Sequence, residues 1–137
     1  MGTNSFLFTN EGEISMDGDE LKRRYTAGER DFPTAKLIGA KLIEANLVGV
    51  NLFAADLTDA NLAKAKLWGA NLGGANLAKA NLTRANLSGA NLHEANLRGA
   101  RLNYAKLYGA NLSGAYYDDS TRFSRGFDPV SKNMKKL

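Results

Sequence analysis

Apolar positions along the chain follow one repeating beat. Leucine occupies every fifth position from Leu37 to Leu112, with Phe32 in the same register at the start. Two residues before each leucine stands an alanine, from Ala35 to Ala110, with Val50 the single exception. The centres are Phe32, Leu37, Leu42, Leu47, Leu52, Leu57, Leu62, Leu67, Leu72, Leu77, Leu82, Leu87, Leu92, Leu97, Leu102, Leu107 and Leu112, seventeen in unbroken register. A period of five suits neither regular element. On a helix, five residues advance about 500°, so successive leucines step about 140° and cover every face. On one straight strand an odd period sends successive leucines to opposite faces. A backbone extended over Ala-x-Leu that then turns a corner resolves this. Both residues then point inward, and repeated corners coil the chain around a shared core.

The units that carry this beat, such as Ala60-Asn61-Leu62-Ala63-Lys64 and Ala90-Asn91-Leu92-His93-Glu94, resemble the pentapeptide repeat family. The likeness covers about 60% of the chain. It implies an all-β solenoid, a right-handed quadrilateral parallel β-helix with four pentapeptides per coil and about four coils. Residues twenty apart then stack at the strand spacing of about 4.8 Å. One face carries an asparagine ladder of Asn51, Asn71, Asn91 and Asn111, whose amides can bond from coil to coil.

The ends depart from the beat. Residues 1–15 lack a period and read as a flexible arm whose apolar cluster is Phe6-Leu7-Phe8. Residues 16–29 hold a short helix: Asp17 and Glu20 resemble a capping box, Gly28 suits the C-terminal left-handed position, and Leu21 and Tyr25 form an apolar stripe. This helix is expected to cap the first coil, where unpaired backbone groups must be covered. Repeats occupy residues 30–115, and Pro33 is expected to block the first edge. Residues 116–129 read as a C-terminal cap in which Phe123 and Phe127 cover the last leucines, a reading the family's Gly-Phe-Asp-Pro ending supports at Gly126 to Pro129. Residues 130–137 read as a frayed basic tail.

Composition narrows the class. The 137 residues are 44% hydrophobic and 23% charged, values of one ordinary globular domain rather than a disordered chain. Cysteine is absent, which removes disulfides and thiolate metal sites. No apolar run approaches the roughly 20 residues of a spanning helix, no signal-peptide pattern opens the chain, and Phe6 spoils a myristoylation motif. A cytoplasmic protein without a membrane segment is expected. The net charge of +4 is uneven: −3 over residues 1–33, +5 over 34–115 and +2 over 116–137.

Candidate chemistry is sparse. His93 is the lone histidine, beside Glu94 on an outward position with nothing to exclude water. Zinc needs three or four ligands, and no second histidine exists. Asp17, Asp19 and Glu20 suit a helix start as well as a cation. Asp56 and Asp59 lack an acid partner, Asp118 and Asp119 suit turn capping, and Gly73-Gly74 lacks the lysine and helix of a phosphate loop. No enzyme, cofactor or metal is expected.

Column stacking singles out one outer face. The position after leucine reads Val48, Trp68, Ser88, Tyr108; the position before it reads Asn46, Lys66, Asn86, Lys106; glycine follows at 49, 69, 89 and 109. Lys64, Arg84 and Tyr104 fall on the adjoining corner. Exposed aromatics with cationic neighbours are what protein interfaces favour, whereas glycines that merely ease a corner are the plainer account. The expectation is a structural or protein-interaction module with an unidentified protein partner, a monomer or weak homodimer. Nucleic-acid binding through the same basic and aromatic groups is the alternative. The family also includes mimics of duplex DNA that bind DNA gyrase, but mimicry needs an acidic rod, and the repeats here carry +5.

Overall fold

The computed structural model describes residues 7–8 and 14–137. From Asp31 onward the chain climbs in coils of twenty residues, each rung pairing in parallel with the one a coil above. Four columns of rungs define four faces. Face one carries Asp31, Asn51, Asn71, Asn91 and Asn111; face two carries Lys36, Asp56, Asn76, Asn96 and Tyr116. Face three carries Lys41, Asn61, Asn81, Arg101 and Arg122; face four carries Asn46, Lys66, Asn86 and Lys106. The ladder is built from short backbone bonds, such as Leu62 N–H to Asn81 C=O at 2.7 Å and Asn81 N–H to Ala60 C=O at 2.9 Å.

The alternation Ala-x-Leu places two of every three rung residues inside. Every centre from Phe32 to Leu102, and Leu112, is buried, as are the alanines two residues before the centres, from Ala35 to Ala100. Burial of one such leucine contributes about 1.5–3 kcal/mol, so the hydrophobic column is the main stabilising term. Alanine is small because its side chain faces the corner, where two walls converge.

Each corner is a β-turn closed by the alanine N–H on the preceding centre's carbonyl, as from Ala40 to Leu37 at 3.0 Å. The second residue after each centre takes a positive φ, whether glycine (Gly69, 69°) or not (Ala54, 57°; Lys64, 59°). Glycine adopts this conformation freely, and a side chain costs roughly 1–2 kcal/mol there. Ala54→Gly is therefore expected to raise stability by about 0.5–1 kcal/mol after the entropy of the freer unfolded chain is subtracted. A thermal melt of the variant checks this; an unchanged or lower midpoint contradicts the strain.

The asparagines do more in the corner than in the ladder. In each repeat that has one, the side-chain Oδ1 accepts the N–H two residues on, as in Asn71 to Gly73 at 3.0 Å and Asn81 to Thr83 at 3.0 Å. Amide bonds between coils also occur, from Asn91 to Asn71 at 3.1 Å and from Asn96 to Asn76 at 3.2 Å. That corner N–H lies outside the ladder, so Pro33 removes a donor that no neighbouring rung uses. Its expected edge-blocking role is corrected accordingly.

At the N-terminal end, β1 (Leu7–Phe8) pairs antiparallel with β2 (Ile14–Ser15), and Ser15 bridges to Lys36. Ser15 thus joins the first rung of face two rather than a free arm; Phe6 lies outside the described residues. Helix α1 (Gly18–Thr26) follows. Its start is half of a capping box: Asp17 accepts the Glu20 N–H at 2.8 Å, while the Glu20 carboxylate turns to Arg23 at 2.6 Å. Gly28 takes a φ of 106° beyond the end of the helix. Leu21 is fully buried in the solenoid core, and the Tyr25 hydroxyl donates to the Val48 carbonyl of face four at 2.7 Å.

The C-terminal end is also docked. β4 (Lys135–Lys136) pairs in parallel with β3 (Tyr116–Tyr117), adding a rung above face two, and Met134 is buried. The frayed tail expected beyond Val130 is corrected. Met134 supplies apolar burial and Lys135 donates to Ala115 at 2.8 Å, which holds a segment whose charges alone suggest solvation. Phe123 and Phe127 stack at 4.6 Å against the core. Asp118 gathers Ser120 N–H and hydroxyl and Gly99 N–H, bonds that hold its carboxyl below the ordinary range, the Ser120 hydroxyl foremost. Asp119 instead pairs with Lys136 at 2.8 Å.

Candidate interaction face

Face four and the corner leading into it bring together the residues expected from the columns. The rungs Asn46, Lys66, Asn86 and Lys106 stack in order. Backbone bonds from Gly49 to Trp68, Gly69 to Ser88 and Gly89 to Tyr108, at 2.9–3.0 Å, hold the residues after each leucine in register. Trp68 and Tyr108 are 51% and 89% exposed, so neither aromatic serves the core. Two rungs separate them, about 9.6 Å at strand spacing. Along the corner from face three, the Lys64 backbone N–H donates to the Thr83 carbonyl and the Arg84 backbone N–H to the Asn103 carbonyl, which stacks Lys64, Arg84 and Tyr104 in a second column. The Arg84 guanidinium lies over the Tyr104 ring at 5.5 Å, and Tyr104 remains 71% exposed.

The glycine shelf has a plain cause. Gly49, Gly69, Gly89 and Gly109 all have φ near 70°, the corner conformation of every repeat. They flatten the shelf beside the aromatics, but the turn alone accounts for them.

A feature the linear sequence hides is the local cost of this face. Asn46 and Asn86 close their corners on Val48 and Ser88, at 3.3 and 3.1 Å. Lys66 and Lys106 cannot, and these are the rungs that carry Trp68 and Tyr108. Each replacement forgoes a bond of about 0.5–1.5 kcal/mol. Both aromatics therefore stand on corners that gave up a stabilising bond for a cation.

Charge is also segregated by face. Faces three and four and the corner between them hold Lys41, Lys64, Lys66, Arg84, Arg101, Lys106 and Arg122, against the single carboxylate Glu44. Faces one and two mix Asp31, Asp56, Asp59, Glu94, Asp118 and Asp119 with Lys36, Lys79, Arg98, Lys135 and Lys136. One side of the rod is positive, and the other is near balance.

Elsewhere the candidate groups have local partners. His93 Nε2 lies 3.3 Å from Glu94, both half-exposed. Asp19 pairs with Lys22 at 3.4 Å, and Asp56 bonds the Thr58 hydroxyl at 2.6 Å. Among the described residues, no group of three His, Asp or Glu side chains is arranged to hold a metal ion. Nor is any helix among them long and apolar enough to cross a membrane.

A twenty-residue parallel coil with a leucine at each wall defines a four-sided β-solenoid. The family model for pentapeptide repeats matches residues 31–69, 55–93 and 80–116, and the chain belongs to the pentapeptide repeat family. That membership implies the right-handed quadrilateral form of the coil. A solved pentapeptide repeat protein from Nostoc Pcc 7120 is 39% identical, with the match covering 90% of this chain and 97% of that one at a TM-score of 0.75. A second, Rfr23 from the cyanobacterium Cyanothece 51142, is 43% identical over 68% of this chain and 63% of that one, at a TM-score of 0.68. No curated protein matches the chain.

Proposed function

We propose that this protein is a non-enzymatic interaction module that presents face four and its adjoining corner to a protein partner. The observation that carries the reading is the pairing of both exposed aromatics of face four, Trp68 and Tyr108, with a lysine that replaces a corner asparagine. Lys64, Arg84 and Tyr104 extend the same surface around the corner. Large, stiff aromatics flanked by cations anchor protein interfaces at low entropic cost. In this reading α1 is the lid of the first coil, the protein is a monomer or weak homodimer, and it works in the cytoplasm without a cofactor. The basic side of the rod is opposite in sign to what a mimic of duplex DNA requires, so gyrase binding by mimicry is not proposed.

The positive side also fits phosphates, which keeps nucleic acid as the second reading. Affinity capture from native lysate separates the two. Wild type is compared with Lys66→Glu/Trp68→Ala/Lys106→Glu/Tyr108→Ala, with and without nuclease. A protein retained after nuclease and lost with the variant is the expected result. Material lost on nuclease treatment supports nucleic acid, and equal captures from both chains remove the face from consideration.

A further inference from the structure

The four faces do not end at the same height. Faces one, two and three each receive a fifth rung, at Asn111, Tyr116 and Arg122. Face four stops at Lys106, because the chain takes one extra residue between Tyr116 and Arg122 and then leaves the coil in the turn from Ser124 to Phe127. The consequence is visible in the core. Leu107 is the one centre of the series that is not buried, and Ala105 and Ala110 beside it are the alanines of the beat left partly exposed.

The backbone shows the same vacancy. One rung below, Leu87 N–H donates to Lys106 C=O at 2.8 Å, Gly89 N–H to Tyr108 C=O at 2.9 Å, and Ala85 C=O accepts from Lys106 at 2.9 Å. The equivalent groups of the last rung are Leu107 N–H, Gly109 N–H and Ala105 C=O. None has a hydrogen-bond partner among the described residues. Two donors and one acceptor, set at rung spacing above a partly exposed leucine, are the template of a parallel strand.

We propose that this open edge is a strand-addition site, filled by an extended segment of a partner protein with the pattern small–acidic–large apolar. Parallel pairing dictates that pattern position by position. The small residue sits over Ala105, where the corner walls converge. The large apolar residue completes the stack of Leu47, Leu67, Leu87 and Leu107. The middle residue points outward above Lys106, which is exposed and has no ion pair among the described residues. A carboxylate there is favoured, and a cation is opposed directly across the pair. The same rule disfavours a second copy of this chain: a two-fold axis at this edge runs the two strands antiparallel, against the parallel template, and centred on the middle residue it sets Lys106 against Lys106. Such augmentation draws affinity from main-chain bonds and specificity from alternate side chains. The inference goes beyond the aromatic face and does not rest on it.

The test uses the full chain and a fluorescein-labelled peptide, Gly-Ala-Asp-Leu-Ser-Gly, read by anisotropy with amide hydrogen exchange in parallel. In the free protein the Leu107 and Gly109 amides exchange fast while those of Leu87 and Gly89 are protected. Saturable peptide binding that protects Leu107 and Gly109 is the expected result. Methylating the peptide's aspartate nitrogen removes the donor to Ala105 and weakens binding by about tenfold, and Asp→Lys in the peptide does at least as much. Absence of saturation up to millimolar peptide, or equal binding of the methylated peptide, overturns the proposal. Concentration-dependent self-association that protects the same two amides without peptide also overturns it, in favour of a second copy. Repeating the titration with Trp68→Ala, two rungs below, keeps this result separate from the fate of the aromatic face.

Discussion

Leu67→Ala is expected to cost about 2–5 kcal/mol, the range for emptying a leucine-sized space in a packed core. Leu67 is fully buried in the fourth wall of the second coil, with Leu47 below and Leu87 above on the same face. The walls cannot collapse into the gap, because each is held by ladder bonds on both edges, such as Leu67 N–H to Asn86 at 2.8 Å and Lys66 N–H to Ala45 at 2.9 Å. Relief of the cavity would break those bonds, so the upper half of the range is expected. Leu107→Ala is the internal control. It lies on the same face two rungs higher but is partly exposed, so less burial is lost and no closed cavity forms. Chemical denaturation of both variants reads the difference, and equal losses would refute the open end of face four.

Gly18→Ala is the second large effect, and its sign opposes helix propensity. Gly18 opens α1, where alanine by itself favours the helix by about 1 kcal/mol. A β-carbon there would stand 2.5 Å from the Lys41 carbonyl oxygen and 3.1 Å from its carbon, both backbone atoms of face three. Backbone on a ladder cannot swing aside as a flexible side chain can, so the helix must lift from the first coil. Lifting it pulls on Leu21 and on the Tyr25 bond to Val48. Overpacking of this kind costs about 1–3 kcal/mol, which outweighs the propensity gain. The expected outcome is a lower melting temperature with faster exchange of first-coil amides. A higher melting temperature would show that α1 is not seated on the coil through Gly18.

The two variants differ in how far the sequence anticipates them. Leu67 is inward by periodicity alone, since five residues close a wall and a corner and repetition leaves no other place for a leucine. The contact at Gly18 joins residues with no periodic relation, so only the folded chain reveals it. The asparagines show a middle case. Their recurrence marks them as structural, but stacked columns suggest a ladder between coils, whereas the dominant bond closes the corner within each repeat, as at Asn81 and Thr83. A short side chain reaches its own chain's N–H first, and that preference outranks the neighbour a coil away.

What the amino-acid order determined by itself is whatever repeats: a chain that coils on itself around buried leucines and alanines, while the four-sided form, and with it the column of Trp68 and Tyr108 beside their lysines, followed from the resemblance to the pentapeptide repeat family. Periodicity transmits these because each unit imposes the same geometry on the next. The ends were left to tertiary structure, because there the chain leaves its period and contacts depend on where it happens to return. Residues 130–137 read as a solvated basic tail, yet Met134 is buried and Lys135–Lys136 adds a rung above Tyr116–Tyr117. Leu107 is indistinguishable from Leu67 in sequence, and only the missing rung above it leaves it partly exposed, because burial belongs to what lies over a residue and not to the residue itself.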